Sequence, residues 1–150
     1  MKKYLTMDAW MSEFLQFPQH VFLVGLRLWL AWIFFRSGLV KLQSWDVTLE
    51  LFSFEYTVPW LSPVVAAWLA TAAELCLPAL LLFGVLTRPA VCALFVLNVV
   101  AMLSYPDISP AGEKDHQLWG LSMVCIFLLG AGRFSLDHLA RRWADDGKRV

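Results

Sequence analysis

The sequence predicts an all-α membrane protein, a four-transmembrane-helix bundle with interfacial amphipathic helices. Three observations predict it. Of 150 residues, 59% are hydrophobic and 16% charged, whereas a soluble domain is usually about half apolar and a quarter charged. Four apolar runs approach the length of about 20 residues that a helix needs to cross hydrocarbon. Eight tryptophans, three tyrosines and eleven phenylalanines supply aromatic side chains for the lipid–water boundaries. The formal net charge is zero, so nothing supports a nucleic-acid partner, and one domain accounts for the length.

Residues 1–19 read as an N-terminal interfacial segment, with Trp10, Phe14 and Phe17 on one face. Met1-Lys2-Lys3 resembles the start of a signal peptide, but Asp8 and Glu13 fall where its apolar run would lie, so no cleaved targeting segment is expected. The membrane domain covers residues 20–134, with spans at about 20–42, 61–86, 88–105 and 117–132. Pro59 and Pro63 mark the entry to the second span, and Pro78 predicts a kink inside it. The small residues Ala66, Ala70 and Ala73 predict a close helix contact there.

Residues 45–56 place Trp45, Leu49, Phe52 and Tyr56 at helical spacing, with Ser44 as the expected N-cap and Asp46 in the first turn. After Gly130-Ala131-Gly132, Ser135 caps an amphipathic tail over 135–150 that carries Leu136, Leu139 and Trp143 beside Arg141 and Arg142. Lys2, Lys3, Arg88, Arg133, Arg141, Arg142, Lys148 and Arg149 fall on one side. Lys41 and Lys114, with Arg36 at the membrane edge, fall on the other, so both termini are expected in the cytoplasm.

Charges within hydrocarbon need a partner or a purpose. Arg27 lies roughly 10 Å above the inner edge, and Glu74 and Asn98 lie roughly 15 Å above it. An ion pair between Arg27 and Glu74, joined by Asn98, is therefore expected, serving as an interhelical clamp or as a proton or ligand site. A second polar group, Arg36, Lys41, Tyr105 and His116, gathers at the outer mouth, with Glu55, Tyr56, Asp107, Glu113 and Asp115 nearby. His116 stands out because imidazole changes charge near neutral pH.

Cys76, Cys92 and Cys125 each sit in an apolar stretch without metal-ligand spacing and read as buried small residues. His20 and His138 are the histidine pair at one depth that could face each other across a haem. No metal site is predicted, and phosphate-loop, HExxH and GxSxG signatures are missing.

Three stretches carry a family resemblance. Residues 27–41 (RLWLAWIFFRSGLVK) resemble the first helix of the DoxX family, with its early arginine and closing Ser-Gly-x-x-Lys. Glu74 followed by LCLPALLLFGVLTR resembles the second helix and its Gly-x-x-Thr-Arg exit at Gly84, Thr87 and Arg88. Residues 130–137 (GAGRFSLD) resemble the family's Gly-Pro-Gly and Ser-Leu-Asp ending, with Ala131 in place of proline. Residues 51–74 and the pair His116 and Trp119 resemble a narrower branch, often encoded beside non-haem iron enzymes that modify cysteine-bearing peptides.

The resemblance implies a multi-pass protein of the bacterial inner (plasma) membrane. Some relatives are subunits of quinone-linked oxidoreductases. It leads to three functional expectations. The first is a redox-associated subunit that holds or neighbours a quinone, its candidate cofactor. The second is a small transporter component. The third is a non-catalytic anchor or assembly partner of a redox or peptide-modifying enzyme. The lipid bilayer, and a protein partner or second copy of the chain, are the expected partners.

Overall fold

The computed structural model describes residues 2–147, without the side chains of residues 2–9 and 12. Lys148 and Arg149, and the side chains of Lys2 and Lys3, all part of the basic set used for orientation, lie outside the described residues. Six helices and no strand occur among the described residues: α1 (Lys2–Gln43), α2 (Trp45–Phe54), α3 (Pro63–Phe83), α4 (Thr87–Ser104), α5 (Pro110–Leu129) and α6 (Leu136–Asp146).

Three helical stretches are long and apolar enough to cross a membrane: Glu13–Gln43 within α1, then α3 and α4. α5 has 20 residues, about 30 Å of helix, but Glu113, Lys114 and Asp115 occupy its first turns and shorten its apolar run. It begins seven residues before the expected start at 117, because Ser109 accepts a hydrogen bond from the Gly112 N–H and Pro110 follows at the first helical position. α1 differs more. The expected break near residue 19 does not occur, and one 42-residue helix runs through Pro18, so the N-terminal segment is the first part of α1.

α3 packs along α1 and against α4, and α5 closes the bundle on α4 and α1. Leu23, Leu30, Phe34, Leu81, Val91, Leu94, Met123 and Ile126 meet in the centre, all nearly inaccessible. Between lipid-embedded helices such contacts act through close packing rather than through release of water. The outward faces remain apolar: Trp32, Val64, Trp68, Leu69, Val96, Leu121 and Leu128 are all exposed. A water-soluble monomer rarely shows so much contiguous apolar surface, so these faces meet lipid.

α2 lies beneath α3. Its Phe52 packs on Ala66 and Ala67, with Trp45, Leu49, Tyr56 and Ala70 around them. Small side chains in the first half of α3 thus admit α2. Ser44 does occupy the N-cap position of α2, but its hydroxyl caps nothing. The Thr48 hydroxyl instead lies 3.1 Å from both the Lys41 and Ser44 carbonyls, which share its one proton, and carries the chain round the corner. The cysteines also depart from expectation: Cys76 and Cys92 fall on outward faces and are exposed, and Cys125 is half-buried.

Candidate functional site

Arg27 and Glu74 do not pair. Arg27 is 2% exposed and donates to main-chain carbonyls: Nε to Leu81 O at 3.2 Å, Nη2 to Phe134 O at 3.1 Å and Leu82 O at 3.4 Å, and Nη1 to Ala131 O. These carbonyls belong to the last turn of α3 and to the segment between α5 and α6. Helix ends leave carbonyls without helical partners, and the guanidinium fork satisfies several at once.

The same region is fastened a second time by Asp137. Its carboxylate accepts from the Leu86 N–H at 2.9 Å and the Thr87 N–H at 2.8 Å, capping α4, while its own N–H donates to Gly84 O at 2.9 Å. Partial burial works to raise the Asp137 pKa, but the Thr87 and Leu86 hydrogen bonds, with Arg141, outweigh it and hold the carboxyl below its ordinary value. Gly84 has φ +65, and a Cβ there would lie 2.6 Å from Ser135 Cβ. The Gly-x-x-Thr-Arg and Ser-Leu-Asp motifs therefore interlock, with Arg27 bound beside them. We call this end the lock.

Glu74 sits at the other end, level with Gly38 on α1. A Cβ on Gly38 would be 2.9 Å from the Leu75 side chain and 3.1 Å from Glu74 Cβ, so glycine lets α1 and α3 approach here. Gly38 is eleven residues beyond Arg27, an axial separation of about 16 Å, which is why the expected pair cannot form. Lys41, one turn further, reaches back. Its Nζ lies 2.6 Å from Glu74 Oε2, 2.9 Å from Oε1 and 3.1 Å from Ser37 Oγ. Ser37 Oγ donates to Glu74 Oε1 at 3.2 Å.

Asn98, expected beside Arg27 and Glu74, instead joins α4 to α5. Its Nδ2 donates to the His116 carbonyl at 2.9 Å and its Oδ1 is 2.8 Å from His116 Nδ1. His116 meets Trp119 edge to face, and Trp119 in turn meets Phe34.

Lys41, Glu74 and Ser37 on one wall and His116 and Trp119 on another line a single cavity of about 510 Å³. Tyr56 and Tyr105, with ring centroids 5.3 Å apart, stand at its α2 end. Burial pushes the Tyr56 hydroxyl above the usual phenol range, with Glu74, Tyr105 and Glu55 adding to it. Glu55 does the same to Tyr105. The other walls are apolar, and Ala70 and Ala73 leave space where large residues would fill it. Between α3 and α4 the cavity reaches exposed Leu69, Ala93, Val96 and Val100. Val96 is nine residues into α4, about 14 Å along it, so this opening faces hydrocarbon.

Arg36, also expected at the outer mouth, is exposed and borders a neighbouring groove between α1 and α2. Sequence reasoning assigns no role to Ser37, although its spacing of four from Lys41 places both on one helical face. Trp119 is signalled only through the family resemblance. No cluster of three or more His, Cys, Asp or Glu side chains suited to a metal ion occurs among the described residues.

Comparison with known proteins accords with these motifs. An uncharacterized protein of Haemophilus influenzae is 35% identical over 131 residues, spanning 81% of this chain and 85% of the relative. No solved structure matches. The DoxX family model matches residues 22–106, which include Arg27, Ser37, Lys41, Glu74 and Asn98 but stop short of His116. The chain is therefore a member of the DoxX family.

Proposed function

We propose that the chain is a redox-associated subunit of the bacterial inner membrane whose cavity holds a membrane quinone. The observation that carries this reading is a largely apolar cavity with a part-buried ion pair on its wall and an opening at hydrocarbon depth. Ligand sites are mostly apolar with a few convergent polar groups, and an ionisable pair inside a membrane marks functional sites more often than it adds stability. The aromatic edges of Phe34, Trp119, Tyr56 and Tyr105 suit a flat ring.

A molecule of the quinone class, oxidised or reduced, fits this lining, which offers the Tyr56 hydroxyl and the Trp119 indole as donors and Glu74 and His116 as acceptors. Its ring would lie among the aromatic walls and its polar edge would face the Glu74, Tyr56 and His116 groups. Its isoprenoid tail would leave between α3 and α4 past Leu69 and Val96. When bound, such a group carries electrons and protons. In this reading α5 is the fourth span, and the arginines gathered at the lock end, Arg88, Arg133, Arg141 and Arg142, support a cytoplasmic side for both termini.

Titration of purified protein with a short-tailed benzoquinone, followed by tryptophan fluorescence, tests the proposal. Saturable quenching that Trp119→Phe largely removes is the expected result. Quenching that rises linearly without saturation contradicts it.

One observation favours a second reading, an anchor for a redox or peptide-modifying enzyme. Leu136, Leu139 and Trp143 on α6 are exposed, as are Trp10 and Phe14 on α1. Recovery of a stable complex by cross-linking, unaffected by substitutions in the cavity, would support that role instead.

A further inference from the structure

Two hydrogen bonds determine which nitrogen of His116 carries the proton. The His116 carbonyl can only accept, so the Asn98 group facing it at 2.9 Å is the Nδ2 amide. Asn98 is 2% exposed, and its other bond then presents Oδ1, an acceptor, to His116 Nδ1 at 2.8 Å. Nδ1 must therefore be the N–H. In the neutral imidazole this leaves Nε2 as a bare lone pair, and Nε2 has no hydrogen-bond partner among the described residues.

The opposite wall has no donors to spare. An ammonium has three N–H groups, and Lys41 directs its three contacts to Glu74 Oε1, Glu74 Oε2 and Ser37 Oγ. The Ser37 hydroxyl is spent on Glu74 as well. The cavity's remaining donors are the Trp119 indole and the Tyr56 and Tyr105 hydroxyls; at the Glu74 and His116 positions what the walls offer a ligand is acceptors, His116 Nε2 and the remaining lone pair of the Glu74 carboxylate. A carbonyl oxygen placed against them would meet lone pairs on both sides, whereas a hydroxyl would be satisfied.

We propose that the cavity selects the reduced, hydroxyl-bearing form of its ring ligand, with His116 Nε2 as the acceptor that reads the hydroxyl. This rests on the quinone reading of the cavity and narrows it to a quinol-type phenol drawn from the bilayer. Asn98 is the positioning residue, because it holds the ring in the tautomer that selects. Trp119, packed against the imidazole, keeps the ring from turning over.

The chain has three histidines, so nitrogen-15 spectra of imidazole-labelled protein in lipid nanodiscs resolve His116 after assignment with His116→Phe. The expected spectrum has a protonated Nδ1 and a bare Nε2; a protonated Nε2, alone or together with Nδ1, overturns the proposal. A parallel titration uses a short-tailed benzoquinone and its hydroquinone kept under anaerobic conditions. Wild type is expected to bind the hydroquinone about tenfold more tightly, since an unmatched buried polar group is costly, and His116→Phe to bring that ratio close to one. Equal affinity, or preference for the quinone, in the wild type overturns the selection while leaving the cavity a ligand site. Saturable binding of neither form overturns both.

Discussion

Arg27 and Glu74 are buried charges on neighbouring helices, and the two ends of the bundle treat them in opposite ways. At the lock, Arg27 is enclosed by main-chain carbonyls from α3 and the α5–α6 segment, with Asp137 fastening the adjoining turn. At the cavity end, Glu74 has a cation and a hydroxyl beside it but faces open space lined by alanines. A charge used for assembly is surrounded by fixed dipoles. A charge kept for a ligand leaves hydrogen-bonding capacity unused. Substitutions at the two ends should therefore separate stability from binding.

The largest effect is expected at Arg27. Arg27→Met keeps much of the volume but strands several buried carbonyls, costing about 3–5 kcal/mol of stability. Thermal unfolding in mild detergent would measure it, and a loss below about 1 kcal/mol would break the comparison. Gly84→Ala should follow at about 2 kcal/mol, because the left-handed backbone and the contact with Ser135 both oppose a Cβ. Glu74→Gln should cost about 1 kcal/mol, since the amide still accepts from Lys41, yet should weaken ligand binding at least tenfold.

The smallest effect is a pH dependence confined to the lock. The Asp137 carboxyl is held below its ordinary value. Its contribution to stability is therefore present above the unfolded carboxylate pKa of about 3.9 and lost as pH falls through the folded value. Wild type should lose more thermal stability than Asp137→Asn on acidification through that window. Parallel curves for the two proteins would remove Asp137 from the lock.

The helices were legible because apolar length and proline and serine boundaries act locally. α3 and α4 begin and end within three residues of the expected spans 61–86 and 88–105, and Ser135 caps α6 through the His138 N–H. The N-terminal break at residue 19 was not legible. The expected boundary lies where the long apolar run begins, but the helix runs on through Pro18, since a proline inside a helix bends it without having to end it. The sequence picks out Arg27, Glu74 and Asn98 as polar residues within the spans, but the partners expected for them are not the ones they have. Depth along a span is uncertain by about a helical turn, roughly 5 Å, and the reach of Lys41 adds several ångströms more. Two carbonyl-rich turns that compete for Arg27 carry no side-chain signature at all. Asn98 with His116 was hidden for another reason, since α5 starts earlier than its apolar run suggests and places His116 inside a helix rather than at its edge.

Ligand-induced thermal stabilisation, measured side by side for wild type, Gly84→Ala and Glu74→Gln, tests the division most directly. A ligand that binds only the folded state raises stability in proportion to the logarithm of its concentration over Kd. With a saturating short-tailed hydroquinone, wild type and Gly84→Ala should gain the same increment from different starting temperatures. Glu74→Gln should start near wild type and gain at least about 1.4 kcal/mol less, the equivalent of tenfold weaker binding. A full increment for Glu74→Gln, or its loss in Gly84→Ala, would contradict the account.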